Sequence, residues 1–210
     1  MHSAPTPRAP KRTGRPRSAE ADRAILAATR AALVESGWGG LTLGDVAARA
    51  GVAKTTLYRR WAGKNELVVD ALAALFEERL ELPDRGSLQA DIEGVVLRFA
   101  ELLDRPETRT ALMAVIAEAA HDDALRLRIR EAIVDRQKHL VLLGRERARR
   151  RGELPPDNGV ADPADDDLIF DVVAGAVVHR VMVSSEPVDA AWADRLARLL
   201  VVGLTGLHAG

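Results

Sequence analysis

The amino-acid sequence predicts an all-α protein of about nine helices. Alternation of apolar and polar residues, which marks strands, is rare, while Ala, Leu, Arg and Glu dominate the periodic segments. Hydrophobic residues make up 47% of the 210 residues and charged residues 29%, which is typical of a chain with a packed core. Cysteine is absent, so neither a disulfide framework nor a thiolate site is available. No apolar run approaches the roughly 18–20 residues that span a bilayer, so we expect a cytoplasmic protein with no membrane contact.

The N-terminal part of the chain predicts a basic arm followed by four helices. Residues 1–17 are rich in Pro, Arg and Lys and should be disordered when free, because such a segment cannot bury apolar surface. Ser18 is a suitable cap for the first helix and Thr42 for the second, and Gly51 supplies the left-handed turn before the third. The predicted helices run from about Ala19 to Ser36, Leu43 to Ala50, Lys54 to Trp61 and Gly63 to Leu80.

Turn signals divide the rest of the chain into five further helices. Residues 82–87 contain Pro and Gly and interrupt the helical pattern, and residues 152–163 do the same. Pro163 stands at a favoured first helical position, and the three aspartates after it suit the positive end of a helix. The predicted helices run from about Leu88 to Leu103, Glu107 to Ala120, Ala124 to Arg151, Pro163 to Val183 and Pro187 to Leu207.

Charge is divided unevenly along the chain, although the net charge is only −1. Residues 1–64 hold 12 Lys and Arg against 4 Asp and Glu, whereas residues 65–210 hold 18 against 27. A basic front on an acidic body indicates that the front meets a polyanion, although a solvated basic tail would give the same balance.

Two short helices joined by a glycine-containing turn, Leu43–Ala50 and Lys54–Trp61, form a helix-turn-helix pattern. The residues predicted to pack the pair together are apolar: Val46, Ala47, Val52 and Leu57. The second helix then presents hydroxyl, ammonium and guanidinium groups, which bind phosphates and base edges, from its outer face and its N-terminal end. These groups belong to Lys54, Thr55, Thr56, Tyr58 and Arg59.

The same region resembles the TetR family of transcriptional regulators over about residues 14–76. The resemblance is strongest in the run from Ala50 to Trp61, AGVAKTTLYRRW. Further matches are Gly14-Arg15-Pro16-Arg17, Ala27-Ala28, Gly37-Trp38, Leu41-Thr42, Val46-Ala47, Gly63-Lys64 and Leu67. The chain departs from the family at Gly63, where a side-chain cap is common, and at residues 59–61, where many members carry aromatic-His-Phe. Operator preference therefore cannot be transferred from other members.

The resemblance implies a three-helix DNA-binding domain over residues 18–64 and a ligand-binding and dimerisation domain over residues 65–210, with a connecting helix at 65–81. It implies a homodimeric repressor that leaves a palindromic, double-stranded operator when a small-molecule inducer binds. The candidate DNA-binding residues combine the positions that match family contacts with basic residues of the arm and of the recognition helix. They are Arg15, Arg17, Thr42, Lys54, Thr55, Thr56, Tyr58, Arg59 and Lys64.

Several side chains near the motif have structural alternatives. Tyr58 could belong to the core, and Arg60 is better interpreted as the partner of an acid on a neighbouring helix than as a base contact. Trp61 should pack between the third and fourth helices, and Trp38 should pack too, although its N–H could reach a phosphate. The arginines of the arm, which include Arg12, either enter the minor groove or supply only nonspecific attraction.

The last two predicted helices are apolar on more than one side, which predicts burial on more than one side. The resemblance implies that they form a four-helix interface with a symmetry mate, although burial inside a monomer would also explain the pattern. The candidate interface residues are Val173, Val177, Val181, Trp192, Leu196, Leu199, Leu200 and Gly203.

For an inducer, the resemblance points to the space among the fourth to eighth helices. The candidate pocket residues are Phe76, Phe99, Leu103, Met113, Ile116, His139, Phe170 and His179. Each of them could instead belong to an ordinary core or interface. The chain holds only 3 Trp, 1 Tyr and 3 Phe, which favours a mainly aliphatic cavity.

The remaining patterns fit structural roles better than chemical ones. The basic run Arg145–Arg151 ends a helix, where cations suit the negative dipole end, and is the weaker candidate for a second nucleic-acid patch. His121-Asp122-Asp123 fits a cap and a turn better than a metal site. No Walker loop, G-x-S-x-G or metal-ligand spacing occurs, so we predict no enzymatic activity, no metal and no cofactor. The main alternative to a regulator is an architectural DNA-binding protein, which needs no pocket.

Overall fold

A computed structural model describes residues 15–156 and 163–207, and this part of the chain contains helices and turns but no strand. The all-α prediction is therefore confirmed, and we number nine helices in chain order. The first six are α1 (Arg15–Gly40), α2 (Leu43–Arg49), α3 (Lys54–Tyr58), α4 (Lys64–Arg79), α5 (Leu88–Asp104) and α6 (Pro106–Ala119). The predicted arm up to residue 14 lies outside the described residues, as do residues 157–162 of the loop predicted at 152–163.

Of the last three helices, α7 and α8 each include a π-helical segment, and α9 ends the described part of the chain. α7 comprises Asp123–Ile129, a π-helical segment Arg130–Val134, Asp135–Gln137 and His139–Arg150. α8 comprises Pro163–Val178 and a second π-helical segment, His179–Val183, and α9 is Ala190–Leu207. None of the described helices combines the length and the apolar character that crossing a membrane requires.

A glycine divides α1 near its C-terminal end. α1 begins at Arg15, ahead of the predicted start at Ala19, and it is regular up to Ser36 as expected. Gly37 then has a φ of 64° and a ψ of −177°, which kinks the helix before it continues to Gly40. This left-handed φ is strained for residues that carry a Cβ atom, so the predicted helix end corresponds to a kink that glycine permits.

The start of α2 and the turn after it follow from local side-chain chemistry. The Thr42 hydroxyl accepts a hydrogen bond from the Asp45 backbone N–H at 3.1 Å and donates to Asp45 Oδ2 at 2.7 Å. This pair satisfies one of the free N–H groups at the helix start. At the other end Gly51 has a φ of 66°, and the Val52 N–H donates to the Ala47 carbonyl at 3.0 Å. These two local devices set the angle at which α3 leaves α2.

α3 is shorter than the sequence predicted, because it ends at Tyr58 rather than at Trp61. The backbone N–H groups of Arg60 and Trp61 both donate to the Leu57 carbonyl, at 2.9 and 3.0 Å, which closes the helix in a turn. The turn directs the Trp61 indole into the core, where it is 5% exposed. Burial of this large ring outweighs continuation of the helix.

α5 is the central helix of the larger domain, since it contacts α4, α6, α7, α8 and α9. Val96 and Leu103 of α5 are fully buried. α1 crosses from the smaller domain and contacts both α4 and α6. The two parts of the chain therefore share one continuous hydrophobic core.

A buried carboxylate ties the break before α5 to the end of α7. Asp91 is fully buried, and its two oxygens accept hydrogen bonds from the Arg85 N–H at 2.6 Å and from Arg151 Nη2 at 2.8 Å. The hydrogen bond to Asp91 is the largest of the contacts that raise the pKa of Arg151 above its ordinary value. The break is also held close to α5, because a Cβ atom at Gly94 would lie 2.4 Å from Pro83 Cγ.

Candidate nucleic-acid interface

The outer face of α3 carries the side chains that the sequence assigned to DNA reading. Lys54, Thr55, Tyr58 and Arg59 are exposed, whereas Thr56 is half-buried. Tyr58 is 58% exposed, so the alternative of a core tyrosine is wrong. Leu57 is fully buried between these residues and anchors the helix from below. α3 therefore presents hydroxyl and cationic groups on a short, firmly packed helix.

Lys54 brings its charge next to the start of α2. A Cβ atom at Gly44 would lie 3.1 Å from Lys54 Nζ and 3.7 Å from Thr42 Oγ1. The ammonium group therefore lies beside a helix N-terminus, where the dipole also favours an anion. In this geometry the Thr42 hydroxyl donates to Asp45, so a phosphate contact by Thr42 requires the hydroxyl to leave Asp45 Oδ2.

Lys64 joins the start of α4 to the kinked end of α1. Its Nζ donates to the Trp38 carbonyl at 3.0 Å and lies 4.4 Å from the centroid of the Trp38 ring. Gly63 provides no side-chain cap, as the sequence indicated, but the Ala62 N–H donates to Glu66 Oε2 at 2.9 Å nearby. Lys64 is thus held in place at the start of α4 by its contacts with Trp38.

Two residues that follow α3 serve the fold. Arg60 forms an ion pair with Asp22 of α1, in line with its interpretation as a partner of an acid on a neighbouring helix. Trp61 packs in the core, as predicted, and its Nε1–H donates to Asp70 Oδ2 at 2.9 Å. Both contacts hold the end of α3 against α1 and α4, and the outer face of α3 stays exposed.

Asp70 links the end of α3 to the larger domain, and no sequence signal indicated this role for Asp70. Its Oδ2 accepts from Trp61, while its Oδ1 accepts from Arg128 Nη2 of α7 at 2.5 Å. Arg128 and Asp70 are 58 residues apart, and no local motif connects them. The Asp70 carboxylate on α4 therefore contacts both Trp61, in the turn that ends α3, and Arg128 on α7 of the larger domain.

Replacing Asp70 with alanine is expected to lower the free energy of unfolding by about 1–3 kcal/mol, because the buried Trp61 N–H loses its acceptor. The matched variant Arg128→Met removes only the half-exposed ion pair and should cost less than about 1 kcal/mol. Urea denaturation of both variants measures the difference. Equal losses in the two variants would contradict the assigned role of the Trp61 contact.

Arg15 and Arg17 lie at the start of α1, but their side chains fall outside the described residues, as does Arg12 altogether. Their predicted entry into the minor groove stays a prediction. Of the other candidate DNA contacts, Thr42 caps the start of α2 and Arg59 caps the end of α3. The remaining ones lie on α3 or begin α4: Lys54, Thr55, Thr56, Tyr58 and Lys64.

Comparisons with known proteins agree on one family. Residues 25–71 match the family described as bacterial regulatory proteins, tetR family, and residues 82–200 match the tetracyclin repressor-like C-terminal domain. The chain belongs to the TetR family. It is 31% identical to an uncharacterized HTH-type transcriptional regulator of Mycobacterium tuberculosis over 165 residues, which cover 78% of this chain and 77% of the relative.

Two further relatives support the same assignment. The DNA-binding transcriptional repressor TetR of Mycobacteroides abscessus is 33% identical over 179 residues, which cover 82% of this chain and 87% of that protein. The crystal structure of the TetR family transcription regulator SCO0332 superposes on this chain with a TM-score of 0.71. The two sequences are 31% identical, and the match covers 88% of this chain and 98% of that one. The protein is therefore a helix-turn-helix transcriptional regulator of this family.

The larger domain of this TetR-family regulator contains a partly open cavity of about 280 Å³ between α4 and the helices that follow it. Four candidate pocket residues lie on its wall: Phe76, Phe99, Ile116 and Phe170. The rings of Phe76 and Phe99 meet edge to face with centroids 6.1 Å apart. The wall is otherwise largely aliphatic; Asp91, Gln137 and Arg145, which sequence reasoning did not single out, also border the cavity, but almost none of its surface is polar.

The other four candidate pocket residues lie elsewhere. Leu103 is fully buried in the core, while Met113 is 47% exposed on α6. His139 is exposed beside a separate surface cleft, where its Nδ1 contacts the Arg136 carbonyl. His179 is exposed in the π-helical segment of α8, 3.4 Å from the Ser184 hydroxyl.

The candidate dimer residues differ in exposure: some are buried within the chain, and others are exposed on its surface. Val177, Val181 and Leu200 are buried within the chain, and Val173 lies on the cavity wall. Trp192 and Leu196 are half-buried, with the Arg180 guanidinium 5.1 Å from the Trp192 ring, whereas Leu199 and Gly203 are exposed. Val202, which the sequence interpretation omitted, is 71% exposed. Its spacing of three residues from Leu199 is the helical signal that would have found it.

The two patterns interpreted as structural have structural partners here. In the basic run, Arg145 pairs with Asp166 at 2.5 Å, Arg147 donates to the Leu82 carbonyl at 3.0 Å, and Arg151 pairs with Asp91. Specific partners, rather than the helix dipole alone, therefore explain the run. Asp122 caps α7 by accepting from the Leu125 N–H at 3.0 Å, which fits the cap and turn expected there.

Proposed function

We propose that this regulator represses transcription by binding a palindromic operator as a homodimer, and that a small molecule in the cavity of its larger domain releases it. The observation that carries the proposal is the outer face of α3, where Lys54, Thr55 and Tyr58 are exposed around the buried anchor Leu57. Polar groups on the exposed face of a packed short helix are suited to base edges and phosphates. The name of the Mycobacteroides abscessus relative, a repressor, supports repression as the outcome.

The proposed dimer uses the outward side of α9. Leu199 is 68% exposed and Val202 is 71% exposed, and Gly203 beside them leaves space for close approach because nothing lies within 4 Å of a Cβ atom there. Large apolar side chains at this exposure are best explained by a partner surface. A two-fold arrangement would present two copies of α3 to successive major grooves about 34–36 Å apart.

The proposed release depends on α4, which lies between the cavity and the DNA-binding unit. Phe76 near the end of α4 lies on the cavity wall, while Lys64 at its start contacts Trp38 and Asp70 in its middle contacts Trp61. A ligand that moves α4 would therefore move the Asp70–Trp61 contact at the end of α3 and the Lys64–Trp38 contact to α1. The ligand induces release only if it binds the state that does not fit DNA more tightly than the state that does.

The proposed site of action is the cytoplasm, where bacterial operator DNA lies, and the proposed activity is regulation by binding rather than catalysis. Selection of bound fragments from a random duplex pool tests the proposal directly. We expect a palindromic or pseudo-palindromic consensus with half-sites about one helical turn apart. Enrichment without a motif, with a specific-to-nonspecific affinity ratio near one at fixed salt, would instead indicate an architectural DNA-binding protein.

A further inference from the structure

All three phenylalanines of the chain lie on the wall of the cavity in the larger domain. Phe76 comes from α4, Phe99 from α5 and Phe170 from α8. Most of the remaining wall is aliphatic, contributed by residues such as Ile92 and Val173. Each helix from α4 to α9 places at least one apolar side chain on this wall, so the packing of the whole domain forms one hydrocarbon-lined space.

The three polar residues that border the cavity in the described part of the chain present almost no polar surface to it. Asp91 is fully buried, and both of its oxygens accept hydrogen bonds from within the chain. Arg145 is 3% exposed and pairs with Asp166, and its Nε and Nη2 are covered by protein atoms. Gln137 is 4% exposed, and its Oε1 is covered in the same way. A molecule in the cavity therefore contacts carbon atoms almost exclusively.

The wall also stays apolar where it reaches the surface of the chain. Ile116 of α6 is 47% exposed, and it is the one exposed residue among the described residues of the wall. Met113, one helical turn before it on the same face of α6, is also 47% exposed. A molecule that enters past these two side chains meets no charge from either of them.

An apolar wall of this kind selects against polar ligands. A polar group inside the cavity would lose its hydrogen bonds to water and gain none from the wall, and an ionic group would lose still more. Hydrocarbon, by contrast, gains free energy with each carbon atom that it removes from water. A dry apolar cavity of about 150 Å³ can hold benzene, so a volume of about 280 Å³ corresponds in proportion to roughly ten carbon atoms.

We infer that the cavity takes a small, uncharged hydrocarbon of roughly ten carbon atoms, and that it selects this ligand by excluding charged and hydrogen-bonding groups. The inference rests on the proposed function, because it names the chemical class to which the proposed inducer belongs. Selectivity then comes from shape and from the cost of burying polar groups, without a polar contact to the ligand.

Four probes with equal numbers of non-hydrogen atoms test the inference on the full chain: butylbenzene, 3-phenylpropan-1-ol, phenylacetate and 3-phenylpropylammonium. Binding is measured without DNA, by calorimetry and by the shift in Tm. We expect butylbenzene to bind about 100-fold or more tightly than the alcohol, because the buried hydroxyl group loses its hydration without gaining a partner. The two ions should bind more weakly than the alcohol.

Three results would overturn the inference. The first is the absence of butylbenzene binding. The second is an alcohol that binds within about 10-fold of butylbenzene, which would show that the cavity offers a hydrogen-bond partner. The third is an ionic probe that binds as tightly as butylbenzene, which would show that the cavity takes the tail of an amphiphile whose head group stays in water at the opening.

Two matched variants assign the binding to this cavity. Ala174→Leu adds carbon atoms to a residue of the wall on α8, and it should lower the affinity for butylbenzene by about 10-fold or more because the added atoms occupy the space of the ligand. Ala176→Leu adds the same atoms to the same helix at a residue that does not line the cavity, and it should leave the affinity unchanged. Equal affinity in both variants would place the binding elsewhere and overturn the inference. If Ala174→Leu does not fold, the probe series on the native chain still decides.

The two proposals fail separately. A chain that binds butylbenzene as expected but keeps its operator affinity in the presence of saturating butylbenzene contradicts the proposed release and leaves the ligand assignment standing. A chain that recognises a palindromic operator but does not distinguish butylbenzene from the alcohol contradicts the ligand assignment alone.

Discussion

Replacing Tyr58 with alanine is expected to lower specific operator affinity by about 30-fold or more while the protein stays folded and keeps its oligomeric state. The side chain is 58% exposed, so its truncation removes few contacts within the chain. A good side-chain contact to DNA contributes roughly 1–3 kcal/mol, and a two-fold dimer presents Tyr58 twice. Fluorescence anisotropy on the selected operator at one fixed salt concentration measures the loss, because affinities at different salt are not comparable.

Two control variants separate the possible causes of such a loss. Tyr58→Phe keeps the ring and removes the hydroxyl, so it reports how much of the effect is hydrogen bonding. Leu127→Ala truncates a similarly exposed side chain (55%) on α7 and should leave operator affinity unchanged. A folded, dimeric Tyr58→Ala variant that retains operator affinity would show that the reading face lies elsewhere.

Replacing Leu199 with aspartate is expected to dissociate the proposed dimer and to lower operator affinity by about 10²–10⁴-fold. Leu199 is 68% exposed on α9 in the single chain, so the change should cost the fold of one chain little. In the dimer, the same change would bury two carboxylates in an apolar interface without partners, which is strongly unfavourable. A monomer binds one half-site of the operator at a time, so the increase in affinity that comes from binding both half-sites with one dimer is lost. Sedimentation velocity measures the first effect and anisotropy the second.

Leu142→Asp is the matched control for this prediction, because Leu142 is also an exposed leucine (55%) but lies on α7. This variant should remain dimeric and bind the operator normally. A Leu199→Asp chain that remains dimeric would place the two-fold interface on another surface.

Local sequence signals predicted the DNA-binding unit closely. A helix cap and a left-handed turn depend on residues within a few positions of each other, as Thr42 with Asp45 and Gly51 with Val52 illustrate. The same signals placed Lys54, Thr55 and Tyr58 on one outward face, where the structure has them. The prediction failed at the end of α3, because the burial of Trp61 shortens the helix and this burial depends on α4.

The larger domain was predicted less completely, because its helices are apolar on more than one side. Both Leu199 and Leu200 suit a helix interface by composition, yet Leu200 is buried within the chain and Leu199 is exposed. Which side of α9 meets α5 depends on the packing of the whole domain. The basic run at the end of α7 shows the same limit, since its polar partners lie on α5, on α8 and in the break before α5.

The sequence by itself determined the helix-turn-helix, because caps, turns and the helical period are encoded by near neighbours. It also determined which side chains α3 exposes on its outer face. Only the tertiary structure decided that Asp70 connects Trp61 to Arg128, and that Arg145 pairs with Asp166. These pairings join residues far apart in the chain, and they exist only because packing of the helices brings a particular side chain within reach of another.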